Sequence, residues 1–147
     1  MRSFLSIILF LLVPILQSKP IKKPKQGIYG YVLLKQGNQM PGPGRAPSVP
    51  QPVKREIAIY NLTNVNEVKS NGAYFTGIKT VCVAKTSSNA KGYFEVALPA
   101  GQYSVFVVEK AGLYANSFNG KGSINAVEVL PDSLVCRDIY LSNKAAF

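Results

Sequence analysis

Residues Lys91–Glu109, KGYFEVALPAGQYSVFVVE, decide the fold class. Two runs alternate with a period of two. Phe94, Val96 and Leu98 share one face of the first run, and Tyr103, Val105 and Val107 share one face of the second. Alternation of this kind marks strands buried on one side. Leu98-Pro99-Ala100-Gly101 between them suits a type I turn, with proline at the second position and glycine at the fourth. The spacing predicts a hairpin that sets its own register and contributes one apolar face to a core, with Phe94, Leu98, Tyr103 and Val105 buried together.

The same pattern extends along the chain. Strands are expected over 27–35, 55–62, 78–85, 92–98, 102–110, 124–130 and 134–142, with a short extra one near 73–76. No window sustains apolar spacing of 3.6 residues with caps, so no helix is expected. Short strands separated by turn signals argue for an all-β sandwich. Five of the ten prolines fall within 40–52. Proline lacks the N–H that a strand ladder needs, so this segment reads as a surface loop, with a polyproline recognition element as the alternative.

Gly92-x-Phe94 followed by Leu98-x-x-Gly101-x-Tyr103 resembles the signature of the carboxypeptidase regulatory-like family, a transthyretin-like β-sandwich. Gly30-Tyr31-Val32, the run Gly37–Pro43, Arg55–Tyr60 and Gly112–Gly120 fit the same pattern. The chain is similar to small secreted proteins of Bacteroidetes-type bacteria over nearly all of its mature length. The resemblance implies a seven- to eight-stranded antiparallel Greek-key β-sandwich in a secreted setting. It implies no activity, because such domains serve as accessory or interaction modules.

Residues 1–18 read as a signal peptide: Arg2 supplies positive charge, Phe4–Leu16 is an apolar run of 13 residues, and Ser18 is small. A bilayer span needs about 20 residues, so the run is too short to cross one. The segment 19–26 is a basic tail carrying Lys19, Lys22, Lys23 and Lys25 between prolines, and 27–147 reads as a single domain. Loss of the leader leaves sixteen basic and seven acidic side chains, a net charge of +9. Such a balance raises nucleic acid as a partner, but an export signal and a lysine run without interleaved aromatics argue against it.

The chain has no histidine. Histidine is the commonest general base and a leading metal ligand, so Ser-His-Asp, Cys-His and zinc-hydrolase arrangements are ruled out. The seven carboxylates stand in no acid–base motif, and no enzyme, cofactor or metal site is expected. Cys82 and Cys136 are the only cysteines. In an oxidising compartment an even count suggests a disulfide, and the alternative is two buried thiols acting as small hydrophobes.

Two local readings concern ligands or covalent chemistry. The loop 112–123 carries Tyr114, Asn116, Phe118 and Asn119, a set suited to stacking on sugar rings with hydrogen bonds to hydroxyls. The alternative packs Tyr114 and Phe118 into a satellite core. Collagen-adhesin B-type domains also resemble this sandwich. That resemblance implies an internal Lys–Asn amide bond with an acidic shuttle, for which Lys35, Asn143 and Glu109 are the candidates. The expected function is a secreted or periplasmic, non-enzymatic interaction module of the cell envelope, whose partner is an envelope protein or a glycan. Export is checked by N-terminal sequencing of protein recovered outside the cytoplasm. The expected first residue lies near Lys19, and full-length protein confined to the cytosol contradicts the reading.

Overall fold

In β1, Gly27–Asn38, Ile28, Gly30, Val32 and Leu34 are buried, whereas Tyr29, Tyr31, Leu33 and Lys35 are partly or fully exposed. This strand is the spine of the first sheet in a computed structural model that describes residues 24–40, 42–44, 46 and 48–146. The leader expected at 1–18, residues 19–23 of the basic tail and three positions of the proline-rich loop lie outside the described residues.

Four strands share the two edges of β1. Along one edge run β7 (Tyr93–Ala97), opposite residues 27–31, and the two-residue β2 (Gln51–Pro52), opposite Leu33 and Leu34. Along the other run β11 (Leu134–Cys136) and then β12 (Ile139–Ala146), both parallel to β1. The sandwich is therefore antiparallel except around its first strand. β11 gives way to β12 beside Gly30, whose own site needs the missing side chain. A Cβ there would lie 2.6 Å from the carbonyl carbon of Arg137 and closer still to its oxygen.

The second sheet is organised around β8 (Gly101–Glu109). On one side it pairs with β3 (Glu56–Asn61), and β6 (Cys82–Ser87) follows β3 at the sheet edge. On the other side it pairs with β10 (Ala126–Val129) and β9 (Gly112–Tyr114), beyond which lie β5 (Tyr74–Thr76) and β4 (Lys69–Asn71). The segments β2, β4 and β9 add to the strands expected from sequence. A single 3-10 turn, Val65–Glu67, is capped reciprocally by the Asn64 side chain and the Glu67 carboxylate. Among the described residues no helix is long and apolar enough to cross a membrane.

Lys91–Glu109 is not a hairpin. β7 pairs with β1 and β8 pairs with β3, β9 and β10, so the turn at Pro99 carries the chain from one sheet to the other. Tyr103 closes this corner by donating its hydroxyl to the Pro99 carbonyl at 2.9 Å. A tyrosine bonded to backbone a few residues upstream serves the same purpose in other sandwiches. Gln26, expected to end the basic tail, is instead built in: its amide donates to the Leu98 carbonyl and its oxygen accepts from the Asp132 N–H, both at 2.9 Å.

The arch still delivers the expected core. Phe94 and Leu98 from one sheet meet Tyr103, Val105 and Val107 from the other, together with Ile28, Ile57, Ile59, Tyr114 and Leu141. A smaller cluster lies on the far side of the second sheet, where Phe106, Phe75, Ala115 and Ile124 pack with Tyr60 and Leu113. The segment after β9 roofs that side.

Gly30→Ala should cost about 3 kcal/mol in chemical denaturation, because its Cβ meets backbone that cannot rotate away. Gly120→Ala, where no heavy atom lies within 4 Å, should change stability by less than about 0.5 kcal/mol. Equal effects at the two sites would contradict the placement of β11 and β12.

Candidate functional site: a tyrosine face ending in a polar cleft

Among the described residues, one outer face of the sandwich is covered and the other is open. The open one belongs to the first sheet, and strand register puts four tyrosines on it. Tyr31 of β1 stands directly opposite Tyr93 of β7, and Leu33 of β1 opposite Tyr140 of β12. Tyr29, two residues before Tyr31, lies between Glu95 and Cys136. The rings of Tyr31 and Tyr93 meet edge to face with centroids 5.5 Å apart. Tyr31 is 43% exposed and Tyr140 37%.

Polar neighbours fix the phenols. Tyr93 donates its hydroxyl to the Glu95 carboxylate at 2.8 Å. That hydrogen bond holds the neutral phenol and, helped by burial and the carboxylate charge, pushes its pKa up to about 12. Tyr29 is also raised, chiefly by the charge of the adjacent Cys136 and by a hydrogen bond with it. The raised values keep Tyr29 and Tyr93 neutral at physiological pH, with hydroxyls able to donate.

At its β12 end the face runs into a cleft of ≈ 310 Å³, lined by Lys35, Asn116, Asn125, Arg137, Asp138 and Tyr140 among others. The Lys35 ammonium lies over the Tyr140 ring, 4.7 Å from its centroid. Asn116 donates to the Tyr140 carbonyl at 3.0 Å. Arg137 donates to Asn125 at 3.3 Å, and buried Asn125 is itself tied to the Val105 carbonyl at 2.9 Å. Asp138 accepts the Tyr31 N–H at 2.9 Å, which draws the cleft and the tyrosine row into one surface.

Of the two readings of loop 112–123, the packed one holds for Tyr114. Tyr114 belongs to strand β9 and is 1% exposed, its ring in the main core and its hydroxyl accepting the Ser142 N–H at 3.0 Å. Asn119 shapes its own loop, its side-chain oxygen accepting from the N–H groups of Lys121 and Ser123. Phe118 is 52% exposed and rests edge-on against Phe75, away from the tyrosine row. Of the four, Asn116 alone lines the cleft.

The two cysteines are unbonded. Cys136 stands beside Tyr29 on the first sheet and Cys82 opposite Tyr60 on the second. Packed sheets are about 10 Å apart, beyond the roughly 7 Å that a disulfide spans between Cα atoms. The amide-bond triad is also dispersed. Glu109 is held by Arg55 at 2.7 Å, Asn143 donates to the Tyr74 hydroxyl at 2.7 Å, and Lys35 covers Tyr140. The acid is thus engaged in one sheet, while the lysine and asparagine belong to the other.

A second, shallower cleft of ≈ 360 Å³ lies on the covered side, among Tyr60, Phe75, Ile78 and Leu113. It is mainly apolar, and its carboxylate, Glu109, is committed to Arg55. The tyrosine face is the stronger candidate because it joins exposed rings to converging polar groups. Sequence reasoning missed it, although β1 carried the signal: Tyr29 and Tyr31 alternate with Ile28 and Val32, and Lys35 continues the tyrosine side. Compared with protein-family models, curated proteins and solved structures, the chain matches none.

Proposed function

We propose that the protein is a non-enzymatic binding module, exported to the cell envelope or beyond it, that holds a glycan across the outer face of its first sheet. The observation that carries this reading is the row of exposed Tyr31, half-buried Tyr93 and exposed Tyr140 on neighbouring strands, continuous with a polar cleft. Aromatic faces stack against the apolar faces of sugar rings, and side-chain amides and charged groups nearby bind hydroxyls. Rings carried on paired strands lose little conformational freedom when a ligand arrives, so less of the contact energy goes into ordering them. The all-β sandwich is also the architecture that a carboxypeptidase regulatory-like module would have, and the apolar leader of the chain supports export.

A glycan array followed by affinity electrophoresis tests the reading. Tyr31→Ala and Tyr140→Ala should each weaken retention of the bound glycan about tenfold, a loss equal to about 1.4 kcal/mol. Both positions are exposed, so the melting temperature should move by no more than a surface substitution moves it. Phe118→Ala should leave retention unchanged. Loss of retention in Phe118→Ala alone, or a wild-type protein that retains no glycan, would overturn the reading.

A further inference from the structure

We infer that the glycan is acidic, and that the cleft at the β12 end of the tyrosine face seats an anionic group on a sugar ring, a carboxylate or a sulfate, between Lys35 and Arg137. The inference rests on the glycan reading and adds the ligand's charge and its orientation.

Charge balance is the first support. Among the described residues the ion pairs are Arg55–Glu109 and Lys85–Glu56, so neither Lys35 nor Arg137 has a carboxylate within 4.0 Å. The cleft holds one acid, Asp138, and one of its oxygens already accepts the Tyr31 N–H at 2.9 Å. Two cations thus face one carboxylate, and the cleft keeps a positive excess.

The anchoring of Arg137 is the second support. A guanidinium offers five N–H donors in a planar fork. Asn125 takes one of them, and Asn125 is only 3% exposed and fixed by the Val105 carbonyl. The arginine is therefore oriented by a buried partner while most of its fork remains open. That is the arrangement by which arginine binds carboxylates and sulfates through two parallel hydrogen bonds. Lys35 adds a point charge beside the same ring, with Tyr140 beneath its ammonium.

The third support is position. Tyr140 lies in the cleft lining with the Lys35 ammonium over one face of its ring, and Asp138 bonds to the backbone of Tyr31, so a sugar held beside Tyr140 carries its ring substituents towards Lys35 and Arg137. A neutral sugar would cover the cleft's excess positive charge without balancing it, which disfavours it against a charged one.

Calorimetric titration with three probes tests the inference: a polygalacturonate hexamer, a heparin hexasaccharide and neutral cellohexaose. Wild-type protein should prefer one or both acidic probes, and added salt should weaken those alone. Preference for polygalacturonate identifies a carboxylate ligand, and preference for heparin a sulfate ligand. Lys35→Gln and Arg137→Gln should each lower the ratio of acidic to neutral affinity about tenfold, the loss of one charge-assisted hydrogen bond. Arg137→Lys should recover only part of it. If Arg137→Gln disturbs folding through Asn125, Lys35→Gln still decides the matter, because that side chain rests on the exposed Tyr140 ring. An unchanged ratio in Lys35→Gln, or equal binding of neutral and acidic probes, overturns this inference and leaves the glycan reading in place. Absence of binding to all three probes overturns both.

Discussion

The close passage of Arg137 over Gly30 is the constraint on which the first sheet depends. Among the described residues, β1 is the only strand that every other member of that sheet pairs with, and its second edge must serve two strands in succession. The chain leaves β11 at Cys136 and begins β12 at Ile139. Between them, the Arg137 N–H donates to the Tyr29 carbonyl at 2.7 Å and the Asp138 carboxylate accepts the Tyr31 N–H. Backbone comes so near the Gly30 Cα that no side chain fits. Any larger residue would push the crossing outward, and both bonds would be lost with it. The same crossing places Arg137 and Asp138 beside Tyr31 and Tyr140. Fold and candidate site therefore share one local geometry.

Much of the architecture was legible because burial on one side of a strand leaves a period of two in the sequence. Phe94 and Leu98, with Tyr103, Val105 and Val107, are buried as their alternation implies, but Ser104 and Phe106 on the other side of β8 are buried too, so that strand is covered on both faces. Pairing was less legible. Two apolar-faced strands joined by Leu98-Pro99-Ala100-Gly101 produce the same alternation whether they lie side by side in one sheet or face each other across a core. Alternation reports which side of a strand is buried and carries no information about its hydrogen-bonded neighbour. The chain takes the second course, and the Tyr103 hydroxyl on the Pro99 carbonyl secures it. The parallel pairing of β1 with β11 and β12 was hidden for a related reason, since the partners are more than 100 residues apart.

The candidate site shows a sharper limit. Tyr31 follows Gly30 directly and Tyr114 lies two residues after Gly112, and sequence singled out Tyr114 as a candidate because it stood in an apparent loop. Gly112-Leu113-Tyr114 instead forms β9, pairing with β5 and β8, and that pairing turns the Tyr114 ring into the core against Val107. Tyr31 projects outward because Val32 and Ile28 take the inward positions. For a strand with apolar residues on both sides, composition alone does not select the inner one. The covalent readings depended on distance as well. Cys82 and Cys136 on separate sheets, and Glu109 bound to Arg55, are outcomes of topology that no spacing along the chain encodes.

The central claim is that the open face of the first sheet, rather than the loop after β9, receives the ligand. An NMR titration of the 13C-labelled aromatic rings with polygalacturonate hexamer tests it most directly, because each ring reports its own surroundings without any substitution. The account predicts progressive shifts at Tyr31, Tyr93 and Tyr140, with Phe118, Tyr114 and the core phenylalanines unmoved. Shifts confined to Phe118 and its loop, or spectra unchanged at saturating hexamer, would contradict it.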